Sequence, residues 1–175
     1  SITKKDEYMS ANLNFLSSIF LVFFLNVTPV GAAGIVDNHN GSVTDSATDL
    51  VWQKGDSFHE LKKGLNWYEA LEYIAIKNSE NFAGHDDWRL PTLKELNSLW
   101  ISSGKIKSKD SETLGLPSGF ESGGSYYLWS GDERGLDNAW YFGLGNKENY
   151  FNLKDLADME QGVKMVHITS SVQYP

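Results

Sequence analysis

The sequence contains no cysteine. That removes disulfides, thiolate metal sites and cysteine nucleophiles in one step. Basic residues are also scarce: 15 Lys and Arg stand against 23 Asp and Glu, for a formal charge of -8. A nucleic-acid binder needs a basic stripe to displace phosphate counterions, so no nucleic-acid partner is expected. The four histidines, His39, His59, His85 and His167, show no short ligand spacing, and no histidine metal cluster is expected from them. No long apolar run follows residue 34, and no repeat or low-complexity tract appears. What remains is a chain of 175 residues, 41% hydrophobic, enough for one domain with a core and too apolar for a disordered segment.

The one long apolar stretch lies near the start. Phe15 to Leu25 is followed by Asn26 to Pro29 and then by Val30-Gly31-Ala32-Ala33-Gly34. About a dozen apolar residues ending in small ones is the pattern of a secretory signal peptide, whereas a membrane span needs roughly 20. Residues 1–33 are therefore expected to form a signal peptide cleaved after Ala32 or Ala33, with Met9 as the true start. Residues 34–175 then form a single secreted, periplasmic or cell-surface domain without a membrane span.

Along that domain, Ile35 to Gly55 reads as a hairpin, its strands around Val43 and Leu50-Val51-Trp52 joined by the turn-rich Ser46-Ala47-Thr48-Asp49. Phe58 to Gly64 reads as a loop. Asn66 and Glu69 form a capping box. Trp67, Ala70, Leu71 and Ile74 then recur at helical spacing, which predicts a helix to about Asn81. Asp86 to Leu96 packs several signals together. Trp88 and Leu90 alternate as in a short strand, Pro91 breaks it, and Thr92 with Glu95 caps a second helix that Gly104 ends. Lys105 to Gly124 is a glycine-rich loop. Three aromatic strands follow, Tyr126 to Ser130, Ala139 to Phe142 and Tyr150 to Leu153, with polar turns between them. Val163 to Ile168 is a final strand of alternating polarity. Helices segregated from antiparallel strands indicate an α+β fold.

Five blocks in this order carry a family resemblance. They are Thr48 to Gln53, Asn66 to Tyr73, Asp87 to Leu96, Leu128-Trp129-Ser130 and Ala139-Trp140-Tyr141. Together they resemble the Lcl C-terminal domain family, named after a collagen-like bacterial adhesin. The resemblance implies a C-type-lectin-like fold, related to that of the formylglycine-generating enzyme, with two helices flanking a small twisted antiparallel sheet and long loops for ligands. Trp52, Trp67, Trp88, Arg89, Pro91, Thr92, Glu95 and Trp129 would be structural within it. The chain also departs from the pattern. Many relatives carry cysteines near the end of the first helix and in the last strand; here Ile74 and the segment Met165 to Ile168 stand near those places. The closing arginine-rich strand of relatives is Lys164-Met165-Val166-His167 here. Formylglycine generation needs cysteine and is excluded.

Three candidate sites remain open. Tyr126, Tyr127, Trp140 and Tyr141 offer rings that could stack on sugar faces or anchor a protein, with ordinary core as the alternative. Asp132, Glu133, Asp137 and Asn138 form an oxygen-rich loop of the type calcium takes, or a solvated acidic turn. The usual lectin sugar triplets, Glu-Pro-Asn and Gln-Pro-Asp, are absent. Asp86, Asp87 and Glu95 could serve a hydrolase as paired carboxylates, or be used up by capping and by Arg89. The expected function is a non-catalytic binding module that takes a glycan or protein through residues 105–149. A structural or assembly subunit of an envelope complex is the alternative, and a hydrolase the third. No cofactor is required beyond that calcium, and the sequence leaves the oligomeric state open.

Overall fold

A computed structural model describes residues 34–169; the signal-peptide expectation falls on residues outside this range. The chain runs β1 (Ile35–Asp37), β2 (Ser42–Asp45), β3 (Leu50–Gln53), α1 (Ser57–Leu61), α2 (Trp67–Ser79) and a 3-10 turn (Phe82–Gly84). It continues through α3 (Leu93–Leu99), β4 (Ile106–Lys107), β5 (Thr113–Leu114), β6 (Tyr127–Arg134), β7 (Asn138–Gly143), β8 (Glu148–Leu153) and β9 (Val166–Ile168). The fold is α+β, with few helices and several antiparallel sheets. One sheet has the order β1-β2-β3-β9, a second is β4-β5, and a third is the meander β6-β7-β8.

Each helix begins where a polar side chain can accept the free amides of its first turn. Asn66 accepts from Glu69 N–H at 2.8 Å, and Glu69 accepts in return from Asn66 N–H at 2.9 Å. Thr92 and Glu95 repeat the arrangement at α3. The segment read as a loop from Phe58 holds α1 instead, with Asp56 as its cap and His59 in the reciprocal position. A histidine in that place is outside the usual Glu or Gln signature, which is why the pattern is silent there. Helix α3 stops at Leu99, short of Gly104, and Trp100 is already extended. Tertiary bonds end it: the Trp100 indole donates to Leu144 O at 2.8 Å, and Ile101 N–H donates to Gly115 O at 2.8 Å.

Two hydrophobic clusters share the strands between them. Strand side chains alternate across a sheet. In β3, Val51 joins one cluster while Leu50 and Trp52 join the other; Trp129 and Leu128 divide likewise in β6. The first cluster takes Trp67, Ala70, Tyr73 and Ile74 from α2, and the second takes Leu96 and Leu99 from α3. This double-sided burial explains why β3 shows no polar alternation. Tryptophan indoles then tie distant segments: Trp67 donates to Ser130 O at 3.0 Å, Trp129 to Leu65 O at 2.7 Å and Trp88 to Phe82 O at 2.9 Å.

Two strand expectations change. The last strand is shorter than Val163 to Ile168, covering Val166–Ile168, and pairs with β3, Val51 opposite His167. It carries no polar alternation, because Val163, Lys164, Met165, Val166 and His167 are all buried. Arg89 bridges its other side, exchanging backbone bonds with Val166 at 3.0 Å in each direction. The second change concerns Gly131 to Asn138, read as a turn. Strand β6 continues through it to Arg134 after a bulge between Trp129 and Glu133. The bulge re-aims Asp132, whose carboxylate accepts from Leu93 N–H at 2.6 Å, at the start of α3.

Candidate binding site

The loop from Lys105 folds back through the short β4-β5 ladder, which brings Lys109, Asp110 and Glu112 beside the start of the meander. There Tyr126 and Tyr127, with Met159 and Glu160, complete a cleft of 310 Å³. The two rings meet edge to face, centroids 4.7 Å apart. Tyr127 also meets Tyr141 at 5.4 Å and Tyr150 at 5.7 Å, and Tyr141 stacks on Tyr150 at 5.4 Å. The tyrosines therefore form one supported array, with Tyr126 and Tyr127 at its partly exposed end. Gly145 permits this: a Cβ there would stand 2.3 Å from the Tyr126 ring. Lys109, which also lines the cleft, is held by Asp110 and Glu160, at 2.7 Å each. Those hydrogen bonds, first to Asp110 and then to Glu160, raise the Lys109 pKa. Flat rings facing a fixed ammonium and carboxylates can stack on a sugar face and hydrogen-bond its hydroxyls.

The four expected ligand-binding aromatics do not act together. Tyr141 is buried, contrary to expectation, because β7 turns it into the first core cluster. Trp140 lies on the other face of β7, opposite Phe151, and Arg134 covers both rings, 5.4 Å and 3.6 Å from their centroids.

Among the described residues, Asp132, Glu133 and Asp137 do not converge as metal-ligating groups. Asp132 is engaged by α3. Glu133 pairs with Lys154 at 2.5 Å, and the same ammonium donates to Leu136 O at 2.7 Å. Lys154 is buried over the Trp67 ring and supplies the positive charge that this loop needs. Asn138 is committed to β7.

Of the hydrolase candidates, Glu95 is fully engaged. Its two oxygens accept from the Arg89 fork at 2.7 and 2.8 Å, and one also accepts from Thr92 N–H. Burial pushes its pKa up, but the Arg89 and Thr92 hydrogen bonds prevail and the net shift is downward. A carboxylate held ionised is a poor general acid. Arg89 thus pairs with Glu95, six positions along the chain. Asp86 and Asp87 are exposed.

Two groupings have no counterpart in the sequence pattern. The first surrounds Asp56, which is buried and accepts from Phe58 N–H at 3.0 Å and Ser125 N–H at 2.7 Å. His59 Nδ1 lies 3.0 Å from its carboxylate, while His59 Nε2 donates to Ser122 O at 3.1 Å. Close by, the buried Lys164 ammonium donates to the carbonyls of Gln53, Lys54 and Gly55. Burial pushes the Lys164 pKa down to about 8, against the attraction of Asp56 and Glu121. For Asp56, burial pushes upward but His59, Lys164 and the Ser125 amide prevail and lower its pKa. The altered closing strand thus places a cation inside the fold. The second grouping brings together histidines that have no short spacing in the sequence. His85 and His167, more than half the domain apart in sequence, lie with ring centroids 3.9 Å apart and tilted by 36°, beside Asp87. His85-Asp86-Asp87 was the only local hint; His167 arrives through the pairing of β9.

Comparison with protein families finds that the model of the Lcl C-terminal domain matches residues 41–166. Comparison with curated proteins finds no match.

Proposed function

The chain belongs to the Lcl C-terminal domain family, and from that premise we propose that it is a non-catalytic binding module that recognises a glycan. The observation that carries this reading is the cleft where the exposed end of the tyrosine array faces Lys109, Asp110, Glu112 and Glu160. An apolar flat wall opposite polar groups suits an amphipathic sugar ring better than a wholly apolar ligand. A C-type-lectin-like architecture is part of the proposal, supported by helices α2 and α3, the antiparallel strands and the long loop between α3 and β6. The reading also takes the protein to be secreted or displayed at the cell surface, on the strength of the apolar stretch before Gly34.

A glycan array probed with purified protein tests this. Binding should be lost on Tyr126→Ala and Tyr127→Ala while circular dichroism stays native. A silent array, or binding that survives both substitutions, would overturn it.

A second reading, a protein-binding assembly subunit, is favoured by a different surface. Phe151, Leu153 and Leu136 are exposed beside Trp140 and Arg134 on the meander. An aromatic pair with an arginine is the composition of an interface anchor. A partner lost on Phe151→Ala but retained by Tyr127→Ala would favour this surface over the cleft.

A further inference from the structure

We propose that His85, Asp87 and His167 form a binding site for a divalent transition-metal ion, with zinc as its natural occupant. Each residue offers a donor atom within 4.8 Å of the other two, and no other such group of three occurs among the described residues. Tetrahedral zinc holds nitrogen and oxygen donors at about 2.0–2.2 Å, which separates neighbouring donors by roughly 3.4 Å. The side chains of His85 and Asp87 reach solvent and need turn by only about an ångström to close the set.

The frame is already rigid. The loop that bears His85 and Asp87 is pinned at both ends. His85 N–H donates to Phe82 O at 3.1 Å, and Trp88 N–H donates to Asn78 at 2.8 Å. His167 is held in β9 opposite Val51, and its ring meets the Trp88 edge at 4.6 Å. Its Nδ1 lies 3.1 Å from Ile168 O and 3.6 Å from the Asp87 carboxylate. A carbonyl only accepts, so Nδ1 carries the proton toward Ile168 and the tautomer is set from outside, as at many metal-bound histidines. The other nitrogen, Nε2, is buried without any partner. A buried ring nitrogen without a partner is costly, and a turn of the His167 ring toward His85 and Asp87 would give it the metal ion as one.

The donor set selects the ion. Two imidazoles disfavour calcium and magnesium, which take oxygen ligands. The absence of thiolate disfavours copper(I). Two histidines and one carboxylate suit zinc, with water completing the coordination, and also iron(II), which the zinc titration distinguishes. Bound there, the ion would join the loop before Trp88 to the last strand.

Tag-free, chelator-treated full-length protein should be titrated with zinc chloride by calorimetry. The expected result is one zinc per chain and a melting temperature that rises with zinc and returns with chelator. His85→Ala and Asp87→Asn should each weaken binding at least about 10-fold, the scale of losing a metal-site partner. His39→Ala, remote in sequence and exposed, should leave it unchanged. Cobalt in place of zinc should give visible bands that the same two substitutions abolish. Absence of saturable binding by the folded wild-type protein would overturn the proposal. So would binding that His85→Ala and Asp87→Asn leave intact, or that His39→Ala removes.

Discussion

Replacing Asp56 by alanine should be among the most damaging single changes in this domain. The carboxylate caps α1 through Phe58 N–H, and losing a cap costs about 1 kcal/mol. It is also, among the described residues, the only hydrogen-bond acceptor for the Ser125 N–H, in a fully buried residue; leaving that amide unpaired costs roughly 1–3 kcal/mol. Finally it offsets the Lys164 charge. Lys164 spends its donors on three carbonyls rather than on Asp56, so this part lies well below the ~3–5 kcal/mol of a directly broken buried pair. Together the loss should be about 3–5 kcal/mol, of which Asp56→Asn should recover the part due to hydrogen bonding. Urea unfolding at neutral pH reads the difference as a shift in midpoint at constant slope. The pH dependence gives a second signature. The folded protein releases the Lys164 proton near pH 8, and the unfolded chain only near the ordinary lysine value of about 10.4. Unfolded protein therefore binds more protons in that window, and the Lys164 contribution to stability rises with pH across it. Without Asp56 the folded pKa falls further, so the rise should begin at lower pH. An Asp56→Ala protein within about 1 kcal/mol of wild type would refute this account of the buried site, since that is less than the cap alone is worth at the upper end.

Two other predictions rest on neighbouring groups. The His59 pKa is raised, chiefly by its hydrogen bond to Asp56. Its contribution is therefore full below the unfolded value of about 6.5 and is lost as pH rises through the folded one. Stability curves of wild type and His59→Gln should converge above that point, and curves parallel from acid to alkaline pH would contradict it. Arg89→Ala removes a bidentate pair with Glu95 in which the arginine is more than a third exposed, so solvent screening limits the expected loss to about 1 kcal/mol, read from thermal unfolding. A loss several times larger would refute the screened-pair account, since the backbone bridge to Val166 is kept by alanine.

The stretch from Trp88 to Leu96 shows how far local signals reach. Its capping box is an interaction between residues a few positions apart and formed as the pattern required, while the short strand read around Trp88 and Leu90 is a single bridge at Arg89. The Asn66-Glu69 box did the same for α2. The α+β class and family membership were legible for the same reason, since periodicity, caps and the ordered aromatic blocks lie in the sequence itself. Apart from α1, whose histidine cap is a local departure, the misreadings involve distant partners. Nothing near Gly131 announces that its strand continues past a bulge, because the bulge answers to the start of α3. Nor does Tyr141 differ in sequence from an exposed aromatic. Strand parity and the packing of α2 decide that it is buried.

The amino-acid sequence thus determined the helix starts, the fold class and the supply of rings and carboxylates from which a site could be made. Only the tertiary structure decided which of them meet. Pairing β9 with β3, rather than with the meander, carried Lys164 to Asp56 and His167 to His85 and Asp87. That choice rests on burying Val163, Met165 and Val166 between two clusters at once, a gain spread over residues more than a hundred positions apart. No local pattern encodes a gain of that kind.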